Sequence, residues 1–215
     1  MCYNFTQKED RDKVEARFTA RQKRKMEKDK KRETVFNGFT HPLTPVIINT
    51  NPTEIDEYTW GLLPSWTQDL EFKKNTLNAK IETLNEKPSF KSYLNQRCLI
   101  IADSFTEWQW LDGKGKQKQQ YEIGLNSGNI FAFAGLYNIW KDKQSGEIIN
   151  TYTIITTEAN PLMAEIHNTK KRMPIILTPE NERDWLLGKP ILDFAKPEID
   201  LKAIKIGESN ILTLF

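Results

Sequence analysis

The chain has 215 residues, a formal net charge of +2, six tryptophans and eleven phenylalanines. This length suits one large domain or two small ones with a sizeable buried core, and the aromatic content argues against disorder. A near-zero net charge excludes a uniformly cationic protein. The two cysteines are too few for a disulfide framework or a zinc site. No apolar run reaches membrane-spanning length, so we expect a cytoplasmic protein with no membrane contact. We also expect no metal or other cofactor.

The chain opens with Met1-Cys2. Initiator methionine is commonly removed before a small residue, and its removal leaves Cys2 with a free α-amino group beside its thiol. The amine of such a 1,2-aminothiol attacks an aldehyde, and the sulfur then closes a five-membered thiazolidine ring. Both groups are reactive near neutral pH, since their ordinary pKa values are about 8 and about 8.5. The alternative is a cysteine with no role at a frayed terminus.

Residues 7–33 hold twelve basic and seven acidic side chains and no glycine or proline. This composition predicts a largely exposed, charged helical insertion at about 7–33. It is either a solvated helix stabilised by pairs four residues apart or a basic arm that approaches nucleic-acid phosphates.

The pattern becomes globular from Val35, and residues 45–49 predict a buried strand. A strand that includes Trp60 follows and ends in a proline-bounded loop containing Trp66. We assign Trp60 to the core. Trp66 is either a second core residue or a residue that stacks on nucleobases.

Residues 76–83 alternate in a way that fits a short strand or an extended loop, and a short helix is expected within 87–95. Residues 97–102 form an apolar strand in which Cys98 is a buried small hydrophobe. Glu107 follows among three large aromatic residues. If Glu107 is buried, its pKa is raised, which suits a general acid or base; the alternative is an exposed carboxylate on an alternating strand.

Two hairpins predict a β meander between residues 105 and 156. Helices are expected before His167 and from Pro179 to residue 187, and a last short helix and strand complete the chain. His167 is either a surface residue near a helix end or a site residue, whereas His41 lies in a turn and has no expected role. The fold class is therefore α+β: a single domain over residues 1–215, mainly antiparallel β in a meander or barrel-like sheet, with flanking helices.

Taken together, these segments resemble the SOS-response-associated peptidase (SRAP) family. The family pattern begins Met-Cys and continues with Trp-Gly-Leu-Leu-Pro-x-Trp, Asn-Ala-Arg-x-Glu-Thr, Arg-Cys-Leu and a Glu-Trp segment. Its later motifs are Ala-Gly-Leu-Trp, Thr-Thr-x-Ala-Asn and Ile-His-x-Arg-Met-Pro. The matching residues in this chain are 1–2, 60–66, 78–83, 97–99, 106–108, 134–137, 156–160, 166–167 and 172–174.

The resemblance implies a protein that senses abasic sites in single-stranded DNA and forms a thiazolidine crosslink to the opened sugar. Cys2 is then the nucleophile after Met1 is removed, through a self-cleavage that the family name suggests or by another enzyme. Asn78 orients the sugar or the terminus, Glu107 is the acid or base, and His167 moves protons. The resemblance also assigns DNA contacts to three residues, by stacking or by charge: Trp66, Lys80 and Arg172. We expect the protein to act as a monomer.

Some residues depart from the family pattern. The usual opening Met-Cys-Gly-Arg-Phe is replaced by one with Tyr3 and Asn4, Lys80 stands where arginine is usual, and the spacing from His167 to Arg172 is longer. Two other functions remain open from the residues alone. One is an N-terminal-nucleophile amidohydrolase, whose fold stacks two sheets between helices; the other is a non-catalytic module that binds single-stranded nucleic acid.

Overall fold

The computed structural model describes residues 2–23 and 35–207, and these residues form two β-sheets with short helices on their flanks. The helices are α1 (Arg11–Phe18), α2 (Pro161–Ile166) and α3 (Pro179–Leu186). The strands are β1 (Asn4–Thr6), β2 (Arg21–Gln22), β3 (Val35–Asn37), β4 (Leu43–Ile48), β5 (Asn51–Trp60), β6 (Asn78–Lys80), β7 (Arg97–Ala102), β8 (Ser104–Trp110), β9 (Lys118–Leu125), β10 (Phe131–Lys141), β11 (Ile148–Glu158), β12 (Arg172–Pro174), β13 (Ile176–Leu177) and β14 (Leu201–Ile206).

Five strands close into a barrel in the spatial order β5, β4, β7, β10, β11. The barrel closes where β11 pairs with β5 in parallel, so that Tyr152 lies opposite Trp60. The neighbouring antiparallel pairs use long apolar strands, and β10 is buried along nearly its whole length. Short strands extend this sheet: β6 runs parallel to β11, and β12 pairs with β11 in the antiparallel direction.

The second sheet has the strand order β14, β9, β8, β1, β3. Strand β1 therefore lies between β8 and β3, which both come later in the sequence. Phe5 of β1 lies opposite Phe36 on one side and Phe105 on the other. All three aromatic side chains are buried. The strand that follows Cys2 is therefore fixed by hydrogen bonds on both edges and by aromatic packing on one face. The predicted fold class, mainly antiparallel β with a barrel-like sheet and flanking helices, is confirmed.

Alternation along the barrel strands divides the core into two clusters. One packs barrel residues such as Ile100 and Phe133 against Phe5 of the second sheet and against Cys2, which precedes that sheet's strand β1. The other packs the intervening residues, including Leu99, against the helices. Gly135 lies between β7 and β11, where an added Cβ would lie 2.3 Å from the Ile100 side chain, so only glycine fits there.

The predicted helical insertion at about 7–33 is wrong in extent. Within the described residues 7–23, the helix is limited to Arg11–Phe18; Thr19 then adopts a left-handed conformation with φ 50°, and Arg21–Gln22 pairs with β5 as a strand. Tertiary contacts override the local charge pattern, because Val14 is buried and the guanidinium of Arg17 pairs with Glu182 on α3. The part of the prediction that covers residues 24–34 lies outside the described residues.

The predicted meander is interrupted at its second turn. The β8–β9 and β10–β11 hairpins form as expected, but β9 pairs with β14 and β10 pairs with β7, so the chain crosses between sheets after Leu125. Sequence alternation predicts strands but not which sheet each one joins. The helix expected within 87–95 is a single 3₁₀ turn at Lys91–Tyr93.

Over residues 2–23 and 35–207, no helix is both long enough and apolar enough to cross a membrane.

Candidate active site around Cys2

Cys2 lies in the first hydrophobic cluster, immediately before β1, and has no solvent-exposed surface. Its Sγ is 3.7 Å from the backbone oxygen of Asn4. Burial raises the pKa of the Cys2 thiol far above its ordinary value, and the nearby charge of Glu107 raises it further. The thiol is therefore protonated at neutral pH, and its reaction requires a group that removes the proton.

Asn78 holds the backbone of Cys2. Its Nδ2 donates a hydrogen bond of 2.8 Å to the Cys2 carbonyl oxygen. Asn78 is the first residue of β6, which is fixed by parallel pairing to Ile154 of β11. Among the described residues, the buried Oδ1 of Asn78 has no hydrogen-bond partner. Since buried polar atoms are nearly always paired, this oxygen is a candidate acceptor for a donor on the terminus or on a ligand.

Glu107 is buried on β8, with 4% of its surface exposed. Removal from water disfavours the charged carboxylate and raises the pKa of Glu107 to about 7. A carboxyl group with this pKa both donates and accepts protons at neutral pH. Of the two alternatives drawn from the sequence, burial selects the first and excludes an exposed carboxylate on an alternating strand.

His167 is also buried and caps the end of α2, where its amide donates to the oxygen of Met163. Burial lowers the pKa of His167 to about 4, and the positive charges of Lys170 and Arg172 act in the same direction. Its Nδ1 lies 2.9 Å from the backbone oxygen of Arg172 and 3.1 Å from its backbone nitrogen. Helix α2 packs against β8, the strand that carries Glu107. The ring is therefore neutral at pH 7 and is held by backbone groups.

The guanidinium of Arg172 is already occupied. It forms a bidentate ion pair with Glu82, in which Nη1 and Nη2 donate to the two carboxylate oxygens at 2.6 and 2.9 Å. Nη2 also donates to the backbone oxygen of Thr156 at 2.7 Å. Its phosphate contact, expected from the resemblance, remains a prediction that requires a shared or released guanidinium. The sequence prediction missed Glu82, although it lies in the Asn-Ala-Lys-Ile-Glu-Thr segment, because no local rule pairs it with a residue ninety positions later.

The two other predicted DNA contacts are exposed. Lys80 lies two residues after Asn78 on β6, so both side chains leave the same face of the strand. Trp66 exposes 55% of its surface and contacts Phe72 at a ring-centroid distance of 5.0 Å. Its indole nitrogen is 3.4 Å from the Pro88 oxygen. The structure thus gives Trp66 a surface position in its own loop, whereas Trp60 is in the core as predicted.

Tyr3 is a second residue that the sequence prediction left without a role. It is half-buried between the first hydrophobic cluster and the exposed ring of Phe39, with which it stacks. Burial raises the pKa of the Tyr3 phenol, and the charge of Glu107 acts in the same direction. Its place directly after Cys2 is the sequence signal that could have identified it.

In the part of the chain that the structure describes, no three His, Cys, Asp or Glu side chains are grouped so that they could hold a metal ion. The Cys2 backbone accepts a hydrogen bond from Asn78, the charge of Glu107 acts on the Cys2 thiol, and His167 follows helix α2, which packs against the strand of Glu107. This arrangement is suited to moving protons around a nucleophile.

The family model for SOS response associated peptidase (SRAP) matches residues 1–201, and the chain belongs to this family. Curated relatives include the abasic site processing protein YoqW of Bacillus subtilis, which is 46% identical over 67% of this chain and 62% of its own length. Abasic site processing protein HMCES of Pongo abelii is 34% identical over 59% of this chain and 43% of its own length. The chain thus spans less than two thirds of the length of these relatives.

Solved structures agree with the fold over nearly the whole chain. A protein from Bacteroides thetaiotaomicron has a TM-score of 0.85 and 32% identity, covering 96% of this chain and 93% of the other. A protein from Bordetella bronchiseptica has a TM-score of 0.78 at 23% identity, covering 95% of this chain and 99% of the other. At that lower identity the likeness concerns the fold alone.

Proposed function

We propose that this protein recognises abasic sites in single-stranded DNA and forms a covalent thiazolidine crosslink through Cys2 after Met1 has been removed. The observation that carries the proposal is the hydrogen bond of 2.8 Å from Asn78 to the backbone of Cys2, beside a buried Glu107 whose pKa is about 7. The names of the relatives YoqW and HMCES, both abasic site processing proteins, support an abasic site as the substrate.

The proposed reaction needs no outside oxidant or reductant. The Cys2 amine adds to the aldehyde carbon of the opened abasic sugar and forms a carbinolamine. Protonation and loss of the hydroxyl as water give an iminium ion, and the Cys2 sulfur, after giving up its proton, then adds to the iminium carbon. One aldehyde, one amine and one thiol give one thiazolidine and one water.

Glu107 serves two of these steps. In its protonated form it gives a proton to the departing hydroxyl of the carbinolamine. The resulting carboxylate then takes the proton of the Cys2 thiol, which burial otherwise keeps in place. A single group performs both transfers most effectively when its pKa is near the working pH, and the pKa of Glu107 meets this condition.

Asn78 and His167 prepare the reactants. The Asn78 amide fixes the Cys2 carbonyl, and the buried Oδ1 accepts a hydrogen bond from the Cys2 amine or from a sugar hydroxyl. His167, neutral at pH 7 because of its low pKa, exchanges protons with the sugar as the ring opens. Removal of Met1 by the same groups is the peptidase activity that the family name suggests.

The DNA strand is proposed to pass over the exposed residues beside this site. Lys80 leaves the same face of β6 as Asn78, so its ammonium is available to a phosphate next to the abasic sugar. Trp66 offers an exposed ring for stacking, and Arg172 contacts a phosphate while it remains against Glu82. Contacts of this kind make binding weaken as the salt concentration rises. The monomeric state and the cytoplasmic location remain predictions.

The test is crosslinking of the purified protein to a single-stranded oligonucleotide with one abasic site, followed on a denaturing gel. We expect a heat-stable band for the wild type and none for Cys2→Ala, with Cys98→Ala as the matched control. Cys98 is equally buried but lies within β7. Intact mass should show loss of Met1. A retained Met1, or an undiminished band with Cys2→Ala, would contradict the proposal.

The same experiment separates the two other functions suggested by the sequence. DNA affinity with no covalent product, and no change with Cys2→Ser, would indicate a binding module. Turnover of amides without DNA would indicate an amidohydrolase. The closed barrel of β5, β4, β7, β10 and β11 gives no support to the latter, because that class stacks two sheets between layers of helices.

A further inference from the structure

An exposed aromatic pair lies directly beside Cys2. The rings of Tyr3 and Phe39 stack with a centroid distance of 4.8 Å and an interplanar angle of 28°. Tyr3 packs against the hydrophobic cluster that contains Cys2, whereas Phe39 exposes 63% of its surface. The pair therefore extends from the neighbourhood of the nucleophile to solvent.

Backbone hydrogen bonds fix the turn that carries Phe39. The Phe39 amide donates to Oδ1 of Asn37 at 3.0 Å, and Phe39 is the middle residue of a 3₁₀ turn over Gly38–Thr40. The Gly38 amide donates to the Tyr3 oxygen at 2.8 Å, which joins the turn to the residue after the nucleophile. Gly38 also lies against the Trp60 ring, 3.3 Å from the position of an added Cβ.

When one face of an exposed ring is stacked on a second ring, the other face is open to a ligand. Because the ring is already held in place, binding costs little side-chain conformational entropy. Isolated exposed hydrophobic residues are common and need no explanation, but this ring is stacked, held by its backbone and placed beside the proposed nucleophile. Nucleobases stack on such faces with a strength of about 1–3 kcal/mol per base. An abasic sugar has no base of its own, so the base available for stacking is that of a neighbouring nucleotide.

We propose that Phe39, supported by Tyr3, stacks on the nucleobase next to the abasic sugar, and that the protein therefore prefers abasic sites with a purine neighbour. This inference rests on the proposed function and adds a preference for sequence context to it. Purines present a larger aromatic surface than pyrimidines, so the preference follows from contact area and needs no hydrogen bonding to the base edges.

The test measures binding and crosslinking separately. Binding uses single-stranded oligonucleotides with one tetrahydrofuran residue, an unreactive abasic analogue, flanked by adenines, by thymines or by further tetrahydrofuran residues. Crosslinking uses the same flanks around a true abasic site. The variants are Phe39→Ala, Phe39→Leu, which keeps apolar area without the ring, and Phe39→Trp, which keeps a ring. Leu187→Ala is the control, because Leu187 is similarly exposed at the end of α3.

We expect Phe39→Ala and Phe39→Leu to bind the adenine-flanked oligonucleotide about 5- to 150-fold more weakly than the wild type, as loss of one stacked base predicts. The tetrahydrofuran-flanked oligonucleotide should change by less than about twofold, and Phe39→Trp and Leu187→Ala should bind like the wild type. Equal binding of all flanks by the wild type and by Phe39→Ala would overturn the inference. Absence of a crosslink with wild-type protein would instead count against the proposed function, since the binding measurement does not depend on it.

Discussion

The side-chain amide of Asn78 donates a hydrogen bond to the backbone carbonyl of Cys2, 76 residues earlier in the chain. Asn78 is held by the barrel strand β11, so this contact fixes the proposed nucleophile relative to the rigid part of the fold. The buried Oδ1 of the same side chain remains available as an acceptor, since it has no partner among the described residues.

Substitution Asn78→Ala should slow crosslinking about 5- to 150-fold, as expected for loss of a buried hydrogen bond worth about 1–3 kcal/mol. Affinity for an oligonucleotide with an unreactive abasic analogue should fall much less. Single-turnover crosslinking and fluorescence anisotropy measure the two effects. Asn126→Ala is a suitable control, because the Asn126 side chain bonds Asp200 on the surface. An unchanged crosslinking rate would remove Asn78 from the site.

The rate of crosslinking should depend on pH through Glu107. Because the pKa of Glu107 is about 7, the fraction of protonated carboxyl available to the carbinolamine falls as the pH rises through 7. A decline in rate with an inflection near pH 7 is expected for the wild type. Glu107→Gln, which has no ionisable proton, should be slower by about 100-fold or more and lack this inflection. The same inflection in Glu107→Gln would assign it to another group.

The stability of the fold should respond to pH in opposite directions through Glu107 and His167. The pKa of Glu107 is raised from 4.5 to about 7, so the unfolded chain loses this proton first and stability falls as the pH rises from 4.5 to 7. The pKa of His167 is lowered from 6.5 to about 4, so the unfolded chain gains this proton first and stability rises from pH 4 to 6.5.

In the wild type these two dependences offset each other between pH 4.5 and 6.5. In Glu107→Gln only the histidine contribution remains, so the free energy of unfolding should rise with pH by at most about 1.4 kcal/mol per pH unit. In His167→Gln it should fall with pH over the same window. Urea unfolding at half-unit pH intervals measures both slopes, and equal slopes in the two variants would show that neither group has the assigned pKa.

The ion pair between Arg172 and Glu82 should contribute a coupling free energy of about 1 kcal/mol to folding stability. Its bidentate geometry strengthens the pair, whereas the partial exposure of Glu82 weakens it. A double-mutant cycle with Arg172→Ala and Glu82→Ala measures it. If Arg172 also meets a DNA phosphate, Arg172→Ala should lower the slope of log affinity against log salt by about one. Lys189→Ala breaks a surface ion pair with Asp184 and should leave that slope unchanged.

Much of the fold could be predicted from the sequence because strand alternation and turn residues are local signals. The buried strand Arg97–Ala102 and the hairpins around residues 113 and 145 are examples. The transfer of the chain to a second sheet after Leu125 could not be predicted, since sheet membership depends on pairing with the distant β14 and β7. The helix predicted in the charged segment after Gln7 is too long for the same reason, because Arg21–Gln22 pairs with the distant strand β5.

The site was predictable in composition but not in detail. The aromatic neighbours of Glu107 along the chain suggested a burial that the structure shows. The hydrogen bond from Asn78 to Cys2 and the pairing of Arg172 with Glu82 required three-dimensional contacts between residues far apart in sequence. The contact between Tyr3 and Phe39 could not be predicted from the sequence, because their stacking depends on the pairing of β1 with β3.

The central position of β1 has a consequence for the order of events during synthesis. Residues 4–6 are synthesised well before one of the strands they pair with, at residues 104–106, which follows about a hundred residues later. Until those residues have been synthesised, β1 has only β3, at residues 35–37, as a pairing partner among the described strands. Once β1 is in place, Cys2 has no exposed surface. The burial of the Cys2 side chain therefore depends on a strand that is synthesised about a hundred residues later.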